Sequence, residues 1–275
     1  MANIIEIIAL SAPELDVYAR LTEGQLRSKQ KPEQSVLIAE SATAVQLALD
    51  AGYQPLSLLV ERSQLNGAGG AIVGQIGEVP VYTADDNILA ELTGFHLTRG
   101  VLCAMRRKPL PSLDETLKSA RRIVVLEAIM DSTNIGAIFR SAAALGMDAV
   151  LTTPDCCDPF CRRAIRVSMG TIFQVPWTSI GIDSAGWYRN GISMLHDYGF
   201  KTAAMALSDR SIGVDSEQLK QVDKLAVLMG TEGTGLAKQT IANSDFIVKI
   251  PMRNGVDSLN VAVASAVAFW ELRER

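Results

Sequence analysis

Three segments of this sequence place glycine and polar residues directly after a run of apolar residues. They are DSTNIGAIFR at 131–140, LMGTEGTGL at 228–236 and IPMRNGVDSLNVAVASA at 250–266. Open α/β sheets bind their ligands at the carboxyl ends of their strands, where such segments lie. We therefore expect the three segments to contribute to one ligand site.

The first segment carries an amide and a guanidinium on one helix. The spacing N-x-G-x-x-x-R puts Asn134 at the amino-terminal cap and Arg140 about two turns further along. Gly136, between them, lets another backbone approach closely. Most arginines on helices face solvent, but a guanidinium can also stabilise a developing negative charge or hold a phosphate. Arg140 is therefore a candidate catalytic residue.

The second segment has three glycines around Glu232. Such a loop exposes backbone donors and acceptors to a ligand, and an ordinary turn explains the glycines equally well. The sequence has no GxGxxG motif opening a βαβ unit near its start and no GxxxxGK[ST] phosphate loop. These absences argue against the standard nucleotide-binding motifs.

The third segment leads into a final helix that we expect to begin at Ser258, capped by Ser258 or Asp257. Its sequence, LNVAVASAVAFW, is apolar almost all round and rich in small residues, which predicts close packing against another element or another subunit. Asn260 is the polar exception, and a buried amide needs hydrogen-bond partners. We expect these partners on the ligand loop or on the helix that carries Arg140.

The elements around these segments alternate between strands and helices. From Arg122 onward we predict strands at IVVLE, DAVLTT, FQVPW, KTAAMAL, KLAVLMG and DFIVKIPM. With helices between them, such strands predict an α/β fold with a parallel sheet covered on both faces.

The N-terminal part of the chain predicts a smaller α/β unit. Its expected strands are SVLIAE, PLSLLVE, VPVYTA and GVLCAMR, and NGAGGAIVGQIG is expected to be a glycine-rich loop. The prolines and charges of RRKPLPSLDETLKSARR indicate a linker. We expect a small domain at 1–106, a linker at 107–122 and a second domain at 123–275.

The net charge of −4 argues against a protein that coats nucleic acid through bulk electrostatics. Local basic clusters can still bind phosphates, and we expect this of the first two clusters. The clusters are Arg20, Arg27, Lys29 and Lys31; Arg106, Arg107 and Lys108; Arg121 and Arg122; and Arg162, Arg163 and Arg166. No apolar run approaches ~18 residues, so we expect no membrane association and a cytoplasmic location.

The cysteines Cys156, Cys157 and Cys161 lie close together in sequence. A closed zinc site usually takes four ligands, and neither histidine, His96 or His196, lies nearby. We therefore expect ordinary reduced thiols and no metal.

Together, NIGAIFR, GTEGTGL and IPMRNGVDSLNVAVASA resemble, in this order, the three signature motifs of the SPOUT class of RNA methyltransferases. The resemblance is to the SpoU or TrmH group of ribose 2′-O-methyltransferases and spans about residues 120–275. The N-terminal part also resembles the small ribosomal-protein-like RNA-binding domain often fused in front. The resemblance implies a trefoil-knotted C-terminal domain and a homodimer that packs through the knot.

The resemblance further implies S-adenosylmethionine as cofactor, S-adenosylhomocysteine as product, and no metal. Gly230, Thr231, Glu232 and Gly233 would form the cofactor loop, Ala206 and Leu207 would complete the adenine side, and Ile250, Met252 and Leu259 would contact the cofactor through backbone or apolar surfaces. The residues that match the family's polar catalytic positions are Asn134, Arg140, Glu232, Ser258 and Asn260.

The resemblance, together with the chemistry of these polar residues, implies their roles. Arg140 would act as the general base or, more easily for a group with a pKa above ~12, stabilise the developing alkoxide or hold a phosphate. Glu232 would hold Asn134 or an arginine, Asn260 would orient its neighbours, and Ser258 would bond near the reacting ribose.

The expected substrate is structured RNA, ribosomal RNA rather than transfer RNA. One alternative is a catalytically silent SPOUT relative that binds RNA without methylating it. The other is a nicotinamide-dependent oxidoreductase, because the same alternation of elements suits a Rossmann sheet, although GxGxxG is missing.

Overall fold

The computed structural model describes residues 3–28, 30–93 and 100–274. Expectations that involve Lys29 or His96 lie outside these residues. The described residues belong to two compact units, one within Met1–Pro109 and Phe160–Gln174, the other within Leu110–Pro159 and Val175–Arg275.

The strands and helices of the described residues are numbered in chain order. The strands are β1 (Asn3–Glu6), β2 (Val36–Glu40), β3 (Pro55–Glu61), β4 (Pro80–Ala84), β5 (Val101–Arg106), β6 (Arg122–Glu127), β7 (Ala149–Thr152), β8 (Trp177–Ser179), β9 (Lys201–Met205), β10 (Ile212–Gly213), β11 (Leu225–Gly230) and β12 (Phe246–Lys249). The α-helices are α1 (Asp16–Ala19), α2 (Glu23–Arg27), α3 (Ala42–Asp50), α4 (Ala68–Val73), α5 (Asp86–Thr93), α6 (Leu113–Leu117), α7 (Ser132–Leu145), α8 (Arg162–Val167), α9 (Ser184–Asp197), α10 (Glu217–Lys220), α11 (Lys238–Asn243) and α12 (Val261–Leu272).

The first unit is built on a mixed sheet with the strand order β1-β4-β3-β5-β2. β1, β4 and β3 run parallel, whereas β5 is antiparallel to both of its neighbours. Apolar side chains of the strands, such as Ile38, Leu59 and Leu102, form its core together with Leu15 and Leu89 from outside the sheet.

Residues 160–174 belong to this first unit, although the sequence placed them with the C-terminal domain. α8 packs against β2. The ring of Tyr53 meets the rings of Phe160 and Phe173 edge-on, at centroid distances of 5.8 and 5.0 Å. These aromatic contacts join residues that lie far apart in the sequence. Local sequence patterns do not reveal such contacts, so they could not assign residues 160–174 to the first unit.

The glycine-rich segment 66–77 contains helix α4, so the expectation of a loop was wrong. A Cβ on Gly70 would lie 2.1 Å from the carbonyl oxygen of Leu65, and one on Gly69 would lie 2.8 Å from that of Gln64. The glycines therefore allow the helix to pack closely on the turn before it, and Ile72 and Val73 become buried.

The second unit is built on a seven-stranded sheet with the order β10-β12-β9-β11-β6-β7-β8. All of its strand pairs are parallel, which confirms the expected α/β fold with a parallel sheet. The strand order reverses between β6 and β11, where Glu127 and Gly230 are paired at the carboxyl ends of the strands. Such a reversal is where doubly wound sheets bind ligands.

Two local expectations in this part of the chain need correction. The strand expected at FQVPW lies at β8, Trp177–Ser179, because Pro176 lacks an N–H to donate and the residues Thr171–Phe173 form a 3₁₀ turn. Within the predicted linker, α6 begins with a capping box between Ser112 and Glu115. Leu117 is buried in the core of the second unit, so the latter part of this segment is folded.

Among the described residues, no helix is both long and apolar enough to cross a membrane.

Candidate functional site

A cavity of about 660 Å³ opens at the carboxyl ends of β9, β11 and β12. It lies entirely within the second unit. All nine residues expected to bind the cofactor lie on its wall: Ala206, Leu207, Gly230, Thr231, Glu232, Gly233, Ile250, Met252 and Leu259. Because the strands are parallel, segments separated by dozens of positions reach the same edge of the sheet.

Three polar side chains meet beside this cavity. The Asn134 amide nitrogen donates to Glu232 Oε1 over 3.0 Å, and the Asn260 amide nitrogen donates to Asn134 Oδ1 over 3.1 Å. The Asn260 nitrogen also donates to Glu232 Oε1. Asn260 therefore bonds both the ligand loop and α7, the two partners that the sequence left open, and Glu232 holds Asn134.

Asn134 does not cap α7, contrary to the sequence expectation. The N-cap is Asp131, whose carboxylate accepts a hydrogen bond from Thr133 N, and the helix begins at Ser132. Asn134 lies in the first turn and is only 6% exposed. With the capping role filled by Asp131, the Asn134 side chain is free to bond Glu232 and Asn260.

Asn260, rather than Ser258 or Asp257, caps α12. Its Oδ1 accepts hydrogen bonds from Ala262 N at 2.9 Å and Val263 N at 3.3 Å. The oxygen thus caps the start of the helix while the nitrogen bonds Asn134 and Glu232, and these bonds fix the orientation of the amide. Ser258 lies on the cavity wall before the helix.

Arg140 is the expected catalytic residue that the structure does not bring to this cavity. It is exposed on α7 and does not line the cavity wall. Six positions separate it from Asn134, which at ~100° per residue puts the two side chains on different faces of the helix. Within the described part of the chain, Arg140 forms no hydrogen bond or ion pair.

Three charged residues at or behind the cavity were not among the predicted site residues. Lys249 and Asp257 line the wall and bring opposite charges to it. Glu127 is buried at the end of β6 and is hydrogen-bonded to three donors. The sequence did contain a signal for Glu127, because the segment IVVLE shows an acidic residue at the end of an apolar strand.

The neighbouring thiols are poor candidates for a metal site. Burial raises the pKa of Cys156, which favours the protonated thiol over the thiolate that metals bind. In residues 3–28, 30–93 and 100–274, no three histidine, cysteine or acidic side chains are grouped to hold a metal ion.

The fold and cavity define an α/β protein with a parallel sheet and a cavity at the carboxyl ends of its strands. The SpoU rRNA Methylase family model matches residues 121–270. An uncharacterized tRNA/rRNA methyltransferase of Mycobacterium bovis is 38% identical over 261 residues, which cover 94% of this chain and 88% of that protein.

Other relatives agree with this family match. The 23S rRNA (guanosine(2553)-2′-O)-methyltransferase RlmP of Bacillus subtilis is 29% identical over 160 residues, 58% of this chain and 61% of that protein. An AdoMet-bound rRNA methyltransferase from Sinorhizobium meliloti has the same fold, with a TM-score of 0.80 at 21% identity over 98% of this chain and 97% of that one.

The chain belongs to the SpoU rRNA Methylase family. Its members are RNA methyltransferases that use S-adenosylmethionine. The family inferred from the three motifs is thereby confirmed.

Proposed function

We propose that this protein transfers the methyl group of S-adenosylmethionine to a ribose 2′-hydroxyl of structured RNA, in ribosomal rather than transfer RNA. The observation that carries the proposal is the meeting of Asn134, Glu232 and Asn260 beside a cavity at the carboxyl ends of β9, β11 and β12. The name of the Bacillus subtilis relative, a 23S rRNA 2′-O-methyltransferase, supports the ribose and the ribosomal substrate. The cytoplasmic location follows from that substrate.

The cavity suits the cofactor in size and chemistry. Its volume of about 660 Å³ falls within the range of ~300–1,000 Å³ found for small-molecule sites. Apolar side chains such as Leu207, Val248 and Leu236 offer a surface for the adenine ring. Glu232 and Asp257 suit the positive sulfonium and ammonium groups, and Lys249 suits the carboxylate.

The loop from Gly230 to Leu236 is shaped for close backbone contact. A Cβ on Gly230 would lie 2.3 Å from the carbonyl carbon of Gly235, so only glycine permits this fold of the loop. The loop is closed by a hydrogen bond from Gly235 N to the Thr231 carbonyl at 3.0 Å. Its backbone groups are thus held in place before a ligand binds, which lowers the entropy cost of binding.

S-adenosylmethionine supplies an activated methyl group on its sulfonium. The protein has to align the ribose oxygen with that methyl and assist loss of the hydroxyl proton. Asn134 and Asn260 hold Glu232 and so fix the wall of the site, and Ser258 bonds near the ribose. Arg140 stabilises the developing alkoxide or holds the adjacent phosphate; loss of one such contact costs about 10²–10³ in rate.

Arg140 does not line the cavity of its own chain, so we place it at the cavity of a partner copy. α7, which carries Arg140, packs against α12 within the second unit. α12 exposes an apolar stripe that includes Val263 at 51% and Trp270 at 56% exposure. Apolar stripes of this kind are typical of subunit interfaces. A homodimer through this face, with the expected knot beneath it, completes the site.

The first unit is proposed to bind RNA. Arg106 and Lys108 donate hydrogen bonds to the carbonyls of Glu33 and Ala51, so these two cations also support their own unit. Arg122 of the third cluster is buried, and its guanidinium donates hydrogen bonds to four backbone carbonyls. Arg122 is therefore not available to bind a phosphate.

The test is to compare 2′-O-methyl sites in ribosomal and transfer RNA from cells with and without this protein. One ribosomal position that loses its methyl group supports the proposal. If no position in either RNA changes, and purified protein transfers no radiolabelled methyl group to total RNA, the protein is the silent RNA-binding relative instead.

A further inference from the structure

Glu127 carries a buried carboxylate that the proposed chemistry does not use. It ends β6 and is 2% exposed. Its Oε2 accepts hydrogen bonds from Trp187 Nε1 and Thr240 Oγ1, both at 2.6 Å, and its Oε1 accepts one from Ala237 N at 2.6 Å. A carboxylate buried without partners is costly, whereas this one is satisfied at both oxygens.

Two of these three hydrogen bonds come from the segment that follows the loop 230–236. Every residue of this loop lines the cavity. The loop starts at Gly230, which is paired with Glu127 in the sheet, and it ends at Leu236, just before Ala237. The same residue of β6 therefore adjoins the start of the loop through its backbone and the end of the loop through its side chain.

The rest of the loop has few other attachments. Glu232 is bonded to Asn134 and Asn260, and Leu236 is buried in the core of the second unit. Gly233 and Gly235 have positive φ and no atom within 4 Å of a Cβ built on them, so no close packing holds the loop at these two positions. The hydrogen bond from Gly235 N to the Thr231 carbonyl closes the loop on itself and does not attach it to the sheet. Loss of the bond at Ala237 would let the end of the loop shift relative to the sheet.

We infer that Glu127 is a positioning residue for the cofactor: its carboxylate holds Ala237 and Thr240 and thereby fixes the loop 230–236 at the end of β6. Glu127 does not line the cavity, so it acts through the loop and not by contact. The inference rests on the proposed function, because it takes the loop to bind S-adenosylmethionine.

The test compares two variants with a matched control. Thr240→Val removes one donor to the carboxylate, and Glu127→Gln replaces an acceptor atom with an amide donor that faces other donors. Thr178→Val is the control, because Thr178 is 5% exposed, as Thr240 is 3% exposed, and its hydroxyl donates to the Pro111 carbonyl away from the cavity wall. Calorimetry gives the Kd for S-adenosylmethionine, and thermal unfolding gives the stability of each variant.

We expect Thr240→Val to raise the Kd for S-adenosylmethionine about 3- to 10-fold, the effect of one lost hydrogen bond, and Glu127→Gln to raise it further. The KM for S-adenosylmethionine should rise in parallel, while kcat at saturating cofactor stays within about twofold of the wild type. Thr178→Val should lower stability and leave Kd unchanged.

The inference is overturned if Thr240→Val and Glu127→Gln keep the wild-type Kd, or if Thr178→Val raises Kd as much as they do. Either result makes Glu127 a structural residue only. A wild-type protein that binds no S-adenosylmethionine overturns the proposed function instead. Weakened cofactor binding in the variants, with no methyl transfer to RNA by the wild type, supports the inference and contradicts the proposed reaction.

Discussion

The side-chain amide of Asn260 donates a 3.1 Å hydrogen bond to the side-chain oxygen of Asn134, a residue 126 positions earlier in the chain. The same Asn260 caps α12 through its oxygen. The Asn260 nitrogen also bonds Glu232, so one side chain caps the start of a helix and joins all three motifs. Substitutions at this position can therefore separate stability from cofactor binding.

Asn260→Ser should keep the helix cap and lose the hydrogen bonds to Asn134 and Glu232. Serine is a good N-cap residue but its hydroxyl is too short to replace the amide contacts with Asn134 and Glu232. We expect near wild-type thermal stability with a Kd for S-adenosylmethionine raised about tenfold, since a hydrogen bond to a charged group is lost. Asn260→Ala should weaken binding as much and also cost ~1 kcal/mol of stability. Equal stability loss in both variants would contradict this separation.

The sequence predicted the parallel sheet because strands give local signals, whereas the individual cavity residues came from the resemblance to the motifs of the SPOUT family. Apolar runs mark the strands, and the residues after them must lie at one edge of the sheet. The caps of α7 and α12 were misplaced. Asn134 looks like an ordinary capping residue until its distant partners are known, and Ser258 and Asp257 looked as suitable for capping α12 as Asn260, which is the actual cap. The position of Arg140 away from the cavity and the folding of residues 160–174 onto the first unit depend on tertiary packing, which spacing alone does not encode.

Asp245 should make stability depend on pH. It joins β9 to the start of β12 by accepting hydrogen bonds from Lys201 Nζ, His196 Nε2, and the Thr202 amide and hydroxyl, all at 2.7–2.9 Å. Burial alone would raise the pKa of Asp245, but the hydrogen bonds from Lys201, Thr202 and His196 outweigh it and hold the pKa well below its usual range. Its stabilising effect is therefore present above the unfolded value of ~3.9 and is lost as the pH falls towards the folded value.

Asp245→Asn should consequently lower the free energy of unfolding by about 1.5–3 kcal/mol at pH 6, and the difference from wild type should shrink below about pH 4. Urea unfolding across this pH range is the measurement. Asp197→Asn, an exposed acid on α9, is the control and should show no such dependence. A difference that stays constant down to pH 3 would rule out this role for the ionised carboxylate.

Ser41 should limit the stability of the first unit. It follows β2 with φ 91° and ψ 149°, a conformation that favours glycine, while its side chain caps α3 by accepting from Ala44 N. Such backbone strain costs about 1–3 kcal/mol, and replacing a capping serine with glycine costs only a few tenths. Ser41→Gly should therefore raise the midpoint of urea unfolding. Ser41→Ala should lower the midpoint, since this variant loses the cap and keeps the backbone strain. A lower midpoint in both variants would show that the cap contributes more to stability than the strain costs.

Arg140→Ala should remove activity without affecting the fold or cofactor binding. Arg140 is exposed and off the cavity wall, so the thermal stability and the Kd for S-adenosylmethionine should stay at wild-type values. Methyl transfer to RNA should fall by about 10²–10³. Arg189→Ala, an exposed arginine on α9, is the matched control and should retain activity. Wild-type rates for Arg140→Ala would remove this residue from the mechanism.

Mixed dimers test whether Arg140 acts on the cavity of the partner copy. Arg140→Ala leaves a chain with an intact cavity, and Glu232→Ala leaves a chain with an intact Arg140, so each homodimer should be inactive. When the two chains are co-expressed with different tags and the mixed dimer is purified, one site combines an intact cavity with the partner's arginine. We expect about half of the wild-type rate, because a two-fold dimer then has one complete site of two. If Arg140 serves its own cavity, both sites of the mixed dimer are defective and no activity returns.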